Sequence, residues 1–324
     1  MQGASMPASP AGYLSRRFVL AGSAALLAGA AAPLTADTVL RVGDQKGGCQ
    51  AVMKAAGALD NLPYKIEWKR FAAAAPLLEA LNAEAVDIGA ASDSPTTFAL
   101  AAGVRGRVIG ATRGSGAGTS IIVAANSPIQ TMADLRGKKI GTNRGSVGHA
   151  LVLAVAEKLR WAPEDIRIAN LMPADAKAAL ASGAIDAWST WNTYVAEARL
   201  TDGARIVASG AGLLSGLNFQ TATLTAIDAR PAALTDYMRR LNVAWRWAAA
   251  NPDAYATALA AEIGVTVPVA KLAFQTDVPV PVAIDDSVAA AEQRTADRYL
   301  AAGLLREKLT VAALFDRSFN SAVG

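Results

Sequence analysis

Four short segments carry residues able to hold a small anion, and each lies where a strand-like pattern gives way to a helical one. They are Gln45-Lys46-Gly47-Gly48, Ser92-Asp93-Ser94-Pro95-Thr96, Asn143-Arg144-Gly145-Ser146 and Trp188-Ser189-Thr190-Trp191-Asn192-Thr193-Tyr194. The first amides of a helix have no partner within it and sit at its positive dipole end, so such loops can present donors to an oxyanion. In the first loop the glycines let the backbone approach a ligand closely, with Gln45 at its start. In the second, Ser94 reads as an N-cap and Pro95 as the first helical residue, with Asp93 either favouring the dipole or accepting from a protonated ligand. Capping alone would also explain that loop.

In the third, Ser146 offers a hydroxyl, and His149 lies in the first helical turn, as packing or as a ligand contact. Cys49 sits similarly in the first helix, as a small buried side chain or as a thiol of lowered pKa. The fourth brings Trp188, which suits a core, together with Trp191 and Asn192, where Trp191 would wall a cleft against an apolar tail. Arg113, among small residues in Thr112-Arg113-Gly114-Ser115-Gly116, can grip an anion at two points or be a solvated loop side chain.

These loops need a scaffold that points them one way. Val39 to Gln45, Lys65 to Phe71 and Val86 to Ala91 read as strands, alternating with helical patterns near Cys49 to Leu59, Ala75 to Ala83 and Pro95 to Ala102. Strands alternating with helices mean an α/β fold with parallel sheet. The order then repeats. Val42-Gly43-Asp44-Gln45-Lys46-Gly47-Gly48 aligns with Ile140-Gly141-Thr142-Asn143-Arg144-Gly145-Ser146, and Ala80-Leu81-Asn82-Ala83-Glu84-Ala85-Val86-Asp87 aligns with Ala179-Leu180-Ala181-Ser182-Gly183-Ala184-Ile185-Asp186. Two lobes of one design, with strand ends facing each other, would enclose a cleft. The helical tail from Thr235 onward has no counterpart and most simply packs back on the first lobe. That assigns 37–120 and 220–324 to lobe 1 and 121–219 to lobe 2, with hinge crossings near Gly118 to Ser127 and Leu213 to Leu224.

The 324 residues hold one histidine, one cysteine and a formal net charge of +4. Such a chain can form neither an internal disulfide nor a zinc site of several Cys and His ligands, and no cofactor is expected. Its charge is too diffuse for a nucleic-acid surface. Residues 1–36 lack acids and carry Ser15-Arg16-Arg17-Phe18-Val19-Leu20 before a small, Ala-rich apolar run, which reads as an export signal of twin-arginine type or, alternatively, of the general secretory type.

Taken together, the motifs resemble those of the periplasmic binding proteins for aliphatic sulfonates, taurine and nitrate, the receptors of ABC importers. The resemblance runs from about Val39 to near the C-terminus. It is carried by Val42-Gly43-Asp44-Gln45-Lys46-Gly47, Ser92-Asp93-Ser94-Pro95, Asn126-Ser127-Pro128-Ile129 with Asp134-Leu135-Arg136-Gly137-Lys138-Lys139, Gly145-Ser146 with His149, Pro173-Ala174-Asp175-Ala176, and Asp186-Ala187-Trp188 with Trp191 and Tyr194. The aliphatic-sulfonate branch looks closest. The resemblance implies the two-lobed type II fold of periplasmic binding proteins, each lobe a mixed sheet flanked by helices, with two hinge crossings. It also implies a periplasmic, monomeric receptor that binds a small anion, a sulfonate, and hands it to an ABC permease in the inner membrane. Nitrate or taurine receptors, a sensor's binding protein, and an enzyme resembling thiamine-pyrimidine synthesis proteins are the alternatives.

Against the branch pattern, Asp44 stands where a tyrosine is usual, Asn192-Thr193 replace an Asp-Pro pair and Thr112-Arg113 replace a Glu-Pro-like segment. Those changes shift charge toward a polar or zwitterionic ligand tail. A sulfonate stays singly negative and needs only donors, which the amides and the hydroxyls of Ser94 and Ser146 are expected to supply.

Overall fold

The strands that carry the loops all pass directly into helices, and the computed structural model describes them over residues 35–323. The chain runs β1 (Val39–Gln45), α1 (Cys49–Ala55), β2 (Lys65–Phe71), α2 (Ala74–Asn82), β3 (Ile88–Ser92), α3 (Asp93–Ala101), β4 (Gly106–Arg113), β5 (Thr119–Val123) and β6 (Lys139–Thr142). It continues through α4 (Val147–Leu159), β7 (Arg167–Asn170), α5 (Pro173–Ala181), β8 (Ala187–Trp191), α6 (Asn192–Thr201), β9 (Arg205–Ser209) and β10 (Leu217–Thr223). The tail holds α7 (Leu224–Ala229), α8 (Pro231–Ala250), α9 (Pro252–Ile263), α10 (Val267–Thr276), β11 (Val280–Val282) and α11 (Asp286–Ala301). The expected export signal lies almost wholly outside the described residues.

Two mixed sheets form, ordered β11-β4-β10-β3-β1-β2 and β7-β6-β8-β5-β9. The second repeats five strands of the first, β11 having no counterpart. Parallel β2-β1-β3 corresponds to β7-β6-β8, and each sheet then takes an antiparallel strand from the crossing chain, β10 in one and β5 in the other. Even the irregularities match: β10 shifts register against β4 at Gln220/Thr221, and β5 shifts against β9 at Ile121/Ile122.

The aligned segments occupy equivalent places. The Asp87 amide donates to the Arg41 carbonyl while its carboxylate accepts from the Arg41 amide, and Asp186 makes the same pair of bonds with Lys139. The copies differ in burial. Asp87 is buried, where its charge is met by Arg41 at 2.5 Å and Arg230 at 3.3 Å, whereas Asp186 is exposed.

The chain passes between the sheets at 114–118 and 210–216, slightly before the crossings expected from the sequence. There the two strands of backbone touch. Gly114 donates to the Gly216 carbonyl at 2.9 Å, and Gly216, in the left-handed region at φ 68°, would place a Cβ 2.3 Å from the Gly114 oxygen, so only glycine fits. Asp277, just beyond α10, accepts from the amides of Ser115, Gly116 and Gly118 and ties the first crossing to the tail.

Helices α8 and α9 pack on α1 and the first sheet, with Leu241, Tyr237 and Tyr255 buried against Val42 and Val52. The second sheet buries Ile121 and Ile140 against Leu151 and Val152 of α4. The tail also does more than return to the first sheet. Helix α10 meets α6 through Ala273, Val269 and Ala196, and α11 meets α4 through Tyr299 and Leu153 with an Arg298–Glu157 ion pair at 2.7 Å.

Candidate functional site

Strand ends of both sheets open on one cleft of about 830 Å³, within the range that holds small organic ligands. The starts of α1, α2, α3, α4 and α6 all contribute to its lining. They fall into two kinds.

The starts of α1 and α3 are filled by the protein's own carboxylates. Asp44, last but one in β1, accepts from the amides of Cys49 at 3.0 Å and Gln50 at 2.8 Å. Burial pushes its pKa up to about 6 against the opposing pull of those amides and of Arg70. Asp93 is buried and accepts from the Ser94 amide at 2.6 Å, the Ser94 hydroxyl at 3.0 Å, the Ser215 hydroxyl at 2.5 Å and the Thr295 hydroxyl at 3.1 Å. Behind it Glu292 is fully enclosed, bonded to Thr97. Its pKa is driven well up by burial and by the Asp93 charge, so it keeps its proton.

The starts of α2, α4 and α6 carry no such stopper among the described residues. Helix α2 begins after Ala73 and α6 after Trp191, neither with a side-chain cap. Helix α4 begins after Ser146, whose Oγ accepts from the His149 amide at 3.2 Å and leaves the amides of Val147 and Gly148 without a side-chain partner. Gly148 is required there: a Cβ would lie 2.6 Å from the Ser189 carbonyl and from Thr142 Oγ1. Helix-start amides without a carboxylate partner thus border the cleft from one helix of the first sheet and two of the second, beside the side chains of Lys46 and Arg144.

Of the residues singled out in the sequence, Gln45, Asp93, Ser146, Trp191 and Asn192 line the cleft. Gln45 donates through Nε2 to the Ala90 carbonyl at 3.2 Å. Asn192 adopts a left-handed φ of 46°, tolerable for asparagine, and its amide donates to the Gly118 carbonyl at 2.7 Å. Trp191 stands at the mouth of the fourth loop with Tyr194 edge-on at 6.1 Å.

Ser94, Arg113, His149 and Trp188 do not line it. Ser94 is the second residue of α3, whose N-cap is Ser92, and its hydroxyl is spent on Asp93. The Ser146 hydroxyl gives its proton to the Asn143 carbonyl at 2.6 Å, so neither expected hydroxyl is available to an anion. Trp188 is core, packed with Ile122, Ile185 and Val195, three residues back from the end of β8 that reaches the cleft. His149 is buried with its Nδ1 accepting from the Gly145 amide at 3.1 Å. Burial, helped by the Arg144 charge, lowers its pKa to about 4, so it holds the loop's shape as a neutral ring. Arg113 ends β4 between β10 and β11 with a buried, unpartnered Nε, away from the cleft lining. Cys49 is buried and its thiol is pushed up by desolvation, which removes the reactive thiolate.

Sequence reasoning passed over the α2 start altogether. Ala73-Ala74-Ala75-Pro76 offers no chemistry-bearing side chain; its only signal is the lack of a capping residue after an edge strand.

A family model described as NMT1/THI5 like matches residues 69–255. A curated relative from Escherichia coli (strain K12), named for binding aliphatic sulfonates, is 31% identical over 299 residues, which is 91% of this chain and 94% of the relative. The chain belongs to the NMT1/THI5-like family. Among solved family structures, the alkanesulfonate-binding protein SsuA from Xanthomonas axonopodis pv. citri, bound to MOPS, superposes with a TM-score of 0.81 at 32% identity, covering 89% of this chain and 100% of that one. The desulfurization enzyme DSZB shares the fold alone, with a TM-score of 0.66 at 19% identity over 88% of this chain and 98% of that one.

Proposed function

We propose that this chain is an extracytoplasmic receptor that binds a sulfonate-type oxyanion between two lobes and delivers it to an ABC permease. The observation that carries the reading is the convergence of the α2, α4 and α6 starts on one cleft with amides that no side chain fills. The sulfonate-binding relatives supply the chemical class. A sulfonate carries one charge and three acceptor oxygens. It needs no acceptor from the protein, and amides donate without becoming acceptors. Charge-assisted bonds at about 1.5–3 kcal/mol each suffice for micromolar binding with a few contacts, since that affinity corresponds to about 8 kcal/mol.

In this reading 37–120 with 220–324 is one lobe and 121–219 the other, and the glycine-lined crossings are the hinge. Binding favours the closed form because amides from both lobes then share the same oxygens. Residues 1–36 act as the export signal, the mature protein is a periplasmic monomer, and no cofactor or nucleic acid takes part. Gln45, Trp191 and Asn192 contact the ligand beside the amides. Ser94, His149 and Trp188 support the loops from behind.

The test is thermal unfolding and calorimetric titration of the purified protein with methanesulfonate, taurine, nitrate and phosphate. A true ligand at a hundred times its Kd adds about 2.7 kcal/mol of stability. Absence of a shift with every oxyanion would refute the reading.

A further inference from the structure

The loops before α1 and α4 share one backbone design. In each, an amide closes a four-residue turn, Gly48 donating to the Gln45 carbonyl at 3.0 Å and Ser146 to the Asn143 carbonyl at 3.1 Å. The third residue of each turn is a glycine in the left-handed region, Gly47 at φ 80° and Gly145 at φ 77°. That is the pattern of a type II turn, whose third position calls for glycine while its second accepts an ordinary side chain. The second residues are Lys46 and Arg144. Both are exposed, both line the cleft, and among the described residues they are the only lysine or arginine in its lining. The ion pairs found among the described residues are all made by other cations. The carboxylates of the lining are mostly committed. Asp44, Asp93 and Asp277 accept from the chain's own amides and Glu197 pairs with Lys177 at 2.7 Å, which leaves Glu79 on the second turn of α2.

We propose that Lys46 and Arg144 form a second anion subsite, one cation from each sheet, which takes a carboxylate on the organic part of the ligand. The inference rests on the sulfonate reading and narrows its substrate class to sulfocarboxylates, dianions with one group at the helix starts and the other at the two turns. Their chemistry divides the groups in this way. The three tetrahedrally set oxygens of a sulfonate suit amides that come from several helix starts, whereas the two coplanar oxygens of a carboxylate match a guanidinium fork, with the ammonium adding a point charge. A singly charged sulfonate held by amides has no further charge to offer these side chains. Two free cations against one free carboxylate leave the lining with positive charge to spare for a second anion. Because the cations stand on different sheets, a ligand that engages both binds the closed form better than the open one.

Calorimetric titration of the purified protein with sulfoacetate, 3-sulfopropanoate and isethionate tests the assignment. Isethionate is close to sulfoacetate in size and lacks its second charge. The better of the two sulfocarboxylates should bind about tenfold more tightly than isethionate, and that ratio should shrink as salt rises from about 20 mM to about 500 mM. Lys46→Met and Arg144→Met should each lower the ratio about threefold, and the double variant should bring it near one. A ratio near one in the unaltered protein would overturn the second subsite. So would a ratio that the double variant leaves intact because every sulfonate weakens alike, since the cations would then serve the sulfonate itself. Either result leaves the receptor reading standing, whereas failure of every sulfonate to bind would remove both.

Discussion

The α1 and α2 starts lie side by side on one sheet, and they are opposites. Helix α1 follows Gln45-Lys46-Gly47-Gly48, the loop most suggestive of an anion cradle, yet its amides are occupied by Asp44 from the strand before it. Helix α2 follows two alanines and has no side-chain cap on its first amides. Helix α3 repeats the first case through Asp93, and α4 and α6 repeat the second. A helix dipole and a glycine-rich loop therefore do not by themselves make an open anion site. Openness depends on whether the chain sends its own carboxylate back to the donors. Two starts are filled from within and three lack a carboxylate stopper, so the cleft keeps helix-start donors although acidic side chains are present in its lining.

Stoppering a free start is the sharpest way to break this contrast. Ala73→Asp places a carboxylate at the N-cap of α2, where it should accept from the first amides as Asp44 does for α1. The expected loss in methanesulfonate affinity is about 100-fold, or roughly 2.7 kcal/mol, while the melting temperature holds or rises because an acidic N-cap is worth about 1 kcal/mol. Calorimetry and a thermal melt on the same sample separate the two effects.

The converse change empties a filled start. Asp93→Ala strips the acceptor from the Ser94 amide and from the hydroxyls of Ser94, Ser215 and Thr295. Denaturant unfolding should show a loss of about 2 kcal/mol from the hydroxyls and amide left without their acceptor. The smallest effect comes from Asp44. With its folded pKa raised to about 6, the carboxylate takes up a proton as pH falls through that value, which removes a negative charge from the cleft. Sulfonate affinity should rise several-fold from pH 7.5 to pH 5, while Asp44→Asn should be flat over the same range. His149 titrates near 4 and stays neutral across that window. For stability the signs oppose. The Asp44 contribution is fully present below its unfolded value of 3.8 and is lost as pH rises through 6, whereas the depressed His149 pKa destabilises the fold as pH falls below 6.5.

Much of the scaffold was legible in one dimension. The strands Val39–Gln45 and Lys65–Phe71 follow from apolar patterning alone, and the aligned Asp87 and Asp186 segments foretold two sheets of one topology. Trp191 and Asn192 were legible as cleft residues because strand-to-helix loops at the carboxyl edge must face it. Ser94 and His149 were not: whether a hydroxyl or ring nitrogen is free depends on the carboxylate or amide beside it, and those partners are fixed by packing rather than by spacing. Trp188 and Arg113 turned on tertiary packing, which leaves both off the cleft lining.

The sequence by itself determined the periodicities, the duplicated order and the helix starts, because these rest on local steric and hydrophobic patterns. Only the tertiary structure decided which starts are open and that the tail bridges both sheets. Those outcomes depend on contacts between residues far apart in the chain, such as Ser215 with Asp93 and Gly47 with Leu259, and no local pattern encodes them.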